Sequence, residues 1–319
     1  MKEYMTVNGL LKSVMNEEFY ENGVLKECFL EDECVLQTPQ GAFIPKYDYS
    51  DVRSKYRNSL SFYKSGQLKS VYLQNRTKIK SPVGDIEAEM ITYYETGELH
   101  RLFPFYGKIS GYWSEEEELS ALEPFTGTVN GISFHHKVAC YCFYSSGRIK
   151  SLTLAGNEEL IVDSSVGTVH VRMGISFYDS GKIRSVEPEA ETNIKTPVGT
   201  IAAYDNTPIA VHGDDNSLKF TEDGRLLSVK TIKSGFEIID HENKKIQILP
   251  KCRRSYWDIE KFEMVPVEVI FREEGVDILD SDGWIYEYSF HDHQIKSITN
   301  KLYKTETGCT NCASCSECQ

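Results

Sequence analysis

The chain has 319 residues, 40% of them hydrophobic, and a formal net charge of -13. That content supports a sizeable buried core and excludes disorder as the class. The charge opposes an extended nucleic-acid backbone or an anionic membrane surface as the general partner, which leaves another protein as the expected one.

Met1-Lys2-Glu3-Tyr4-Met5 lacks the apolar run of a secretory leader, and no span reaches bilayer length. The nine cysteines are an odd number, and Cys28, Cys34, Cys140, Cys142 and Cys252 follow no framework spacing. These features predict reduced thiols in a cytoplasmic protein.

Along the chain one phrase returns: an aromatic pair, a Gly-containing turn, then an aliphatic residue followed by a basic one. Clear copies start at Phe62-Tyr63, Phe143-Tyr144 and Phe177-Tyr178 and end at Leu68-Lys69-Ser70, Ile149-Lys150-Ser151 and Ile183-Arg184-Ser185. Weaker ones surround Gly9, Gly23, Gly97 and Gly224. The Ser-Gly, Asn-Gly, Thr-Gly and Asp-Gly steps supply positive φ, so antiparallel strands should flank them. A second punctuation follows at Thr38-Pro39-Gln40-Gly41, Ser81-Pro82-Val83-Gly84, Ser164-Ser165-Val166-Gly167 and Thr196-Pro197-Val198-Gly199. From first-type to second-type glycine the spacing is 18 for Gly23 to Gly41, 18 for Gly66 to Gly84, 20 for Gly147 to Gly167 and 18 for Gly181 to Gly199. Such constancy marks a repeat. One short helix is expected, at Ser114-Glu115-Glu116-Glu117-Glu118-Leu119, where Ser114 can cap and the glutamates suit a helix amino end.

The tyrosine-x-x-Gly-x-aliphatic-Lys phrase resembles the MORN repeat and the looser bacterial MORN-like repeats, some of which are described as antitoxin components. The resemblance covers roughly residues 4 to 230 and implies an all-β protein of consecutive antiparallel hairpins forming an elongated twisted sheet. The expected organisation is a degenerate hairpin-repeat region over 1–250, a divergent β-rich capping segment over 251–303 and a Cys-rich tail over 304–319. Within the capping segment, residues 267–271 and 283–290 are expected to form a last hairpin closing on Gln294-Ile295-Lys296-Ser297.

The sharpest chemical signal is that tail. Cys309, Cys312, Cys315 and Cys318 lie at a uniform three-residue step. Four thiolates so spaced can close a tetrahedral zinc site, ahead of an iron–sulfur cluster, whose runs carry a different last spacing. A disordered reactive tail is the competing account. His291 and His293 would share one strand face, and His135-His136 precede Cys140 and Cys142; solvated hairpin histidines explain both more simply. The basic residues Lys12, Lys26, Lys69, Lys150 and Arg184 could align as a cationic ladder. Lysine stems covering a core edge beside Val71, Leu73, Leu152 and Leu154 are the simpler account. Tyr63, Tyr94, Tyr144 and Tyr178 read first as cross-strand packing. Trp113 beside the acidic run suits a partner contact. Asp214-Asp215 and Asp280 with Asp282 could act as acid and base but are what turns use. No catalytic motif is present. The expected function is a non-enzymatic protein-binding scaffold, the alternatives being a metal-dependent sensor or carrier using the tail and an enzyme without a familiar motif.

Overall fold

The computed structural model describes residues 2–50, 53, 55, 57–106, 110, 112–156, 159–205, 213–255 and 260–301. The four tail cysteines lie outside them. Among the described residues there are 27 strands and one short helix, and no helix is long and apolar enough to cross a membrane. The chain divides into two compact units, residues 1–158 with 179–181, and residues 159–178 with 182–319.

Unit 1 contains β1 (Lys2–Thr6), β2 (Gly9–Phe19), β3 (Leu25–Leu30), β4 (Leu36–Thr38), β5 (Gly41–Phe43), β6 (Leu60–Phe62), β7 (Leu68–Ser81), β8 (Gly84–Tyr93) and β9 (Leu99–Phe103). These are followed by α1 (Glu115–Ser120), β10 (Pro124–Val129), β11 (Ile132–Phe143) and β12 (Ile149–Ala155). Its sheet runs β1-β2-β3-β6-β7-β8-β9-β11-β12, every pair antiparallel, with β10 pairing the first half of β11. Helix α1 starts as the sequence predicts: the Ser114 side chain accepts from the Glu117 N–H while the Glu117 carboxylate accepts from the Ser114 N–H.

Unit 2 contains β13 (Leu160–Ser164), β14 (Gly167–Phe177), β15 (Ile183–Pro188), β16 (Thr192–Thr196), β17 (Gly199–Ala203), β18 (Leu218–Phe220), β19 (Leu226–Thr231) and β20 (Ser234–Ile239). Next come β21 (Lys245–Ile248), β22 (Lys251–Arg254), β23 (Phe262–Val265), β24 (Val267–Arg272), β25 (Gly275–Leu279), β26 (Ile285–Ser289) and β27 (Gln294–Thr299). Its main sheet runs β13-β14-β15-β18-β19-β24-β25-β26, also antiparallel. A smaller sheet, β21-β20-β27, joins Ile238 to Ile295 across the strands, while β16-β17 and β22-β23 are hairpins. Gln294 to Ser297 therefore does not close on β26. Ile295 is buried and opposes the buried Ile238, so pairing with β20 places an apolar side chain inside, which a turn back onto the exposed strand β26 would not.

The two glycine punctuations are two different turns. At the second kind, a two-residue loop joins paired positions such as Ser81 and Gly84. The Ser81 hydroxyl donates to the Gly84 carbonyl (2.6 Å) and accepts from the Val83 N–H (3.3 Å). Thr38, Ser164 and Thr196 repeat this double bond, and so does Thr6 with Gly9 and Asn8. At the first kind, Tyr63 N–H donates to the Gln67 carbonyl and Gly66 N–H to the Tyr63 carbonyl. Gly66 has φ +87°, a conformation in which a Cβ is costly. The same turn recurs at Asp280 to Trp284, with Gly283 at φ +88°.

The first aromatic builds the core in most copies. Phe62, Tyr93, Phe143, Phe177 and Phe220 are buried, whereas Phe19 of the Gly23 copy is exposed; Leu60, Val71, Ile91 and Leu152 complete the core of unit 1 and Ile175, Leu218, Val229 and Val269 that of unit 2. Burying such side chains is the main stabilising term of each unit, at roughly 1.5–3 kcal/mol apiece.

Candidate functional site

The recurring basic residue has a structural cause that alternation does not show. Phe62 pairs with Leu68 and Ser61 with Ser70, so Lys69 is the extra residue of a β-bulge. In the same way Lys26, His100, Lys150, Arg184 and Leu227 are each skipped between the paired positions on either side. The bulge turns the side chain out of register and over the second aromatic of its own phrase. Lys69 Nζ lies 5.7 Å from the Tyr63 ring centre, Lys150 Nζ 5.9 Å from Tyr144, and the Arg184 guanidinium 6.0 Å from Tyr178; the rings of His100 and Tyr94 are 4.4 Å apart. Lys69 is exposed whereas Val71 and Leu73 are buried, so the shared strand face expected for them does not exist.

The tyrosines do more than pack. Tyr20 Oη donates to the Phe62 carbonyl (2.9 Å), Tyr63 Oη to that of Tyr93 (2.8 Å) and Tyr94 Oη to that of Phe143 (2.8 Å) in unit 1, and Tyr178 Oη to that of Phe220 (2.7 Å) in unit 2. These four phrases are thereby each pinned to the backbone of the next. Lys69, Lys150 and Arg184 are spent on these rings and Lys26 on Glu18 (2.9 Å), which gives these four cations a structural use.

The other expected sites separate under the geometry. Cys28, Cys34, Cys140, Cys142 and Cys252 are buried thiols outside any disulfide, and burial pushes the Cys28 thiol up to about 12, a protonated and unreactive state. His291 lies in the turn after β26 and His293 just beyond it, so strand alternation does not apply to them. The Tyr288 ring packs edge-on to His293, and His241 Nε2 is 3.4 Å from Asp292. Asp280 accepts from the N–H groups of Asp282 and Trp284, as a turn aspartate does, and Asp282 pairs with Lys251. Asp215 is spent on Lys219 and Lys230.

Trp113 is half-buried and donates its indole N–H to Glu118 (3.1 Å). Glu118 also takes both the Nε and an Nη of Arg53 at 2.7 Å, while the second Nη reaches the buried Glu89 at 2.8 Å. Burial opposes the charged Arg53, and the two carboxylates override it, raising its pKa. Arg53 and Arg76 stack on Phe105 (4.5 and 4.6 Å), and Arg57 on Tyr72 and Tyr106 (4.7 and 4.3 Å). This network ties the segment before α1 to Glu118 within it and engages the indole N–H of Trp113.

Buried carboxylates recur in unit 2. Glu187 accepts from the N–H and hydroxyl of Ser217 (2.7 and 2.9 Å) and from the Asp205 N–H (3.3 Å), with Arg172 at 3.7 Å. Burial outweighs these donors and holds its carboxyl up at about 7. Glu268 takes Lys219 and the Ser228 hydroxyl at 3.0 and 2.6 Å.

One surface stands apart. Strand β26 pairs with β25, and among the described residues no second strand pairs with it. Trp284 is 68% exposed and Ile285 61%, with Tyr286 and Phe290 also exposed. The Trp284 carbonyl accepts from Asp280 N–H and the Phe290 N–H donates to the Glu274 carbonyl, both toward β25. Alternation along an antiparallel strand then turns the N–H and C=O groups of Ile285 and Glu287 outward. Glu287, Glu273, Glu274 and Asp282 are exposed, Glu287 pairing with Arg272 (3.3 Å) and Asp282 with Lys251. The sequence marked 283–290 as a strand, but its exposure on both faces was not legible, because aromatic and β-branched residues read as core.

No family model matches the chain, and no curated protein matches it.

Proposed function

We propose that this protein is a non-enzymatic, protein-binding scaffold of MORN-like hairpin repeats, and that β26 is where its partner adds a strand. The observation that carries this reading is the open edge of β26 with Trp284, Ile285, Tyr286 and Phe290 exposed around it. Natural sheets guard such edges with charge, proline or a covering element because outward N–H and C=O groups template a further strand. This edge carries one central charge, Glu287, and no proline. An extended segment of another protein, with apolar residues against Ile285 and Trp284 and a lysine or arginine that shares Glu287 with Arg272, satisfies the outward backbone groups.

The test is selection of a random peptide library on the full chain, followed by titration calorimetry against Ile285→Pro. Proline removes one outward donor, and an edge strand tolerates it. Enriched peptides should alternate apolar residues with a basic one and lose about tenfold or more in affinity for the variant. Peptides that bind Ile285→Pro as tightly as wild type would refute the strand-addition reading.

A further inference from the structure

Among the described residues, three His, Cys, Asp or Glu donors come within 4.8 Å of one another at one place, Glu159, His170 and Glu189 of unit 2. Strand register assembles them. His170 sits on β14 opposite Ile161 of β13, and its carbonyl accepts from the Glu189 N–H just past the end of β15 (2.8 Å). Glu159, two residues before Ile161, lies diagonal to His170 on the other side and contacts its Nδ1. Adjacent strands thus place one imidazole between two carboxylates on an exposed face.

Glu159 pairs with the Nδ1 of His170, and among the described residues neither Glu159 nor Glu189 has a lysine or arginine partner that would neutralise it. With a neutral imidazole, two carboxylates this close repel one another, and a bound cation converts that cost into attraction.

We propose that Glu159, His170 and Glu189 form a binding site for a divalent transition-metal ion of zinc's class. One nitrogen and two carboxylate oxygens suit that class, for which ligand atoms about 2.0–2.2 Å from the ion lie roughly 3–3.5 Å from each other. Small rotations of exposed side chains within the present 4.8 Å reach that arrangement. Three protein ligands leave a coordination position open to water or to a group on another molecule. The site does not rest on the scaffold reading of β26 and uses none of the tail thiols.

The experiment uses the full chain with Cys309, Cys312, Cys315 and Cys318 changed to serine, so that thiolate binding is removed. Zinc chloride is titrated by calorimetry, and cobalt(II) is followed by its visible absorption. About one ion per chain is expected, with His170→Ala and Glu189→Gln each weakening binding about tenfold or more, while His241→Ala leaves it unchanged. All three side chains are exposed, so circular dichroism should report the same fold for each variant. Absence of saturable uptake, or uptake by His170→Ala equal to that of the parent, overturns the proposal.

Discussion

Glu187 ties the pH dependence of unit 2 to a named group. Its carboxyl is raised from the ordinary 4.5 to about 7 by burial, against the opposing bonds from Ser217 and the charge of Arg172. In the folded chain it therefore holds a proton that the unfolded chain has released, and folding takes up a proton between about pH 4.5 and 7. Because the folded state binds more protons across that window, stability falls as pH rises through it. Integrating the linkage relation with these two values gives a loss of roughly 2 kcal/mol between about pH 5.5 and 8. Glu187→Gln removes the titration while keeping a carbonyl oxygen to accept from the Ser217 N–H. The assay is urea unfolding of both proteins at several pH values, with hydrogen exchange of the peptide containing Ser217 as the local reporter. Wild type should lose stability relative to Glu187→Gln as pH rises, with most of the change below about pH 7. Parallel curves for the two proteins, or a wild type that gains on the variant with rising pH, would refute the reasoning.

Two further outcomes are expected. Tyr63→Phe deletes the bond to the Tyr93 carbonyl and leaves the ring under Lys69, so unit 1 should lose about 1 kcal/mol in chemical denaturation; Tyr20→Phe should match it, since its hydroxyl makes the equivalent bond to Phe62. Anaerobically purified chain should carry tail-bound zinc that is lost, by elemental analysis, when Cys309 and Cys312 are changed to serine, if the even cysteine spacing closes a thiolate site.

What the sequence determined by itself was local. Turn glycines, the Ser and Thr that bridge the two-residue loops and the Ser114 cap act through backbone conformation and bonds across a few residues, so hairpins, an all-β class and one short helix could be read from spacing alone. Tertiary structure decided everything that depends on which strand lies beside which. Lys69 looked like a surface cation or a core-edge stem until the Leu68 and Ser70 pairings showed it to be a bulge residue aimed at Tyr63. Glu187 and Ser217 are thirty positions apart, and only the neighbouring of β15 and β18 makes a buried carboxyl of them. Glu159, His170 and Glu189 carry no motif spacing, since a β-sheet joins donors through cross-strand register and not through a repeat along the chain. Residues 284–290 have the composition of an interior strand, and it is the absence of a pairing neighbour beyond β26 among the described residues that turns them into a surface.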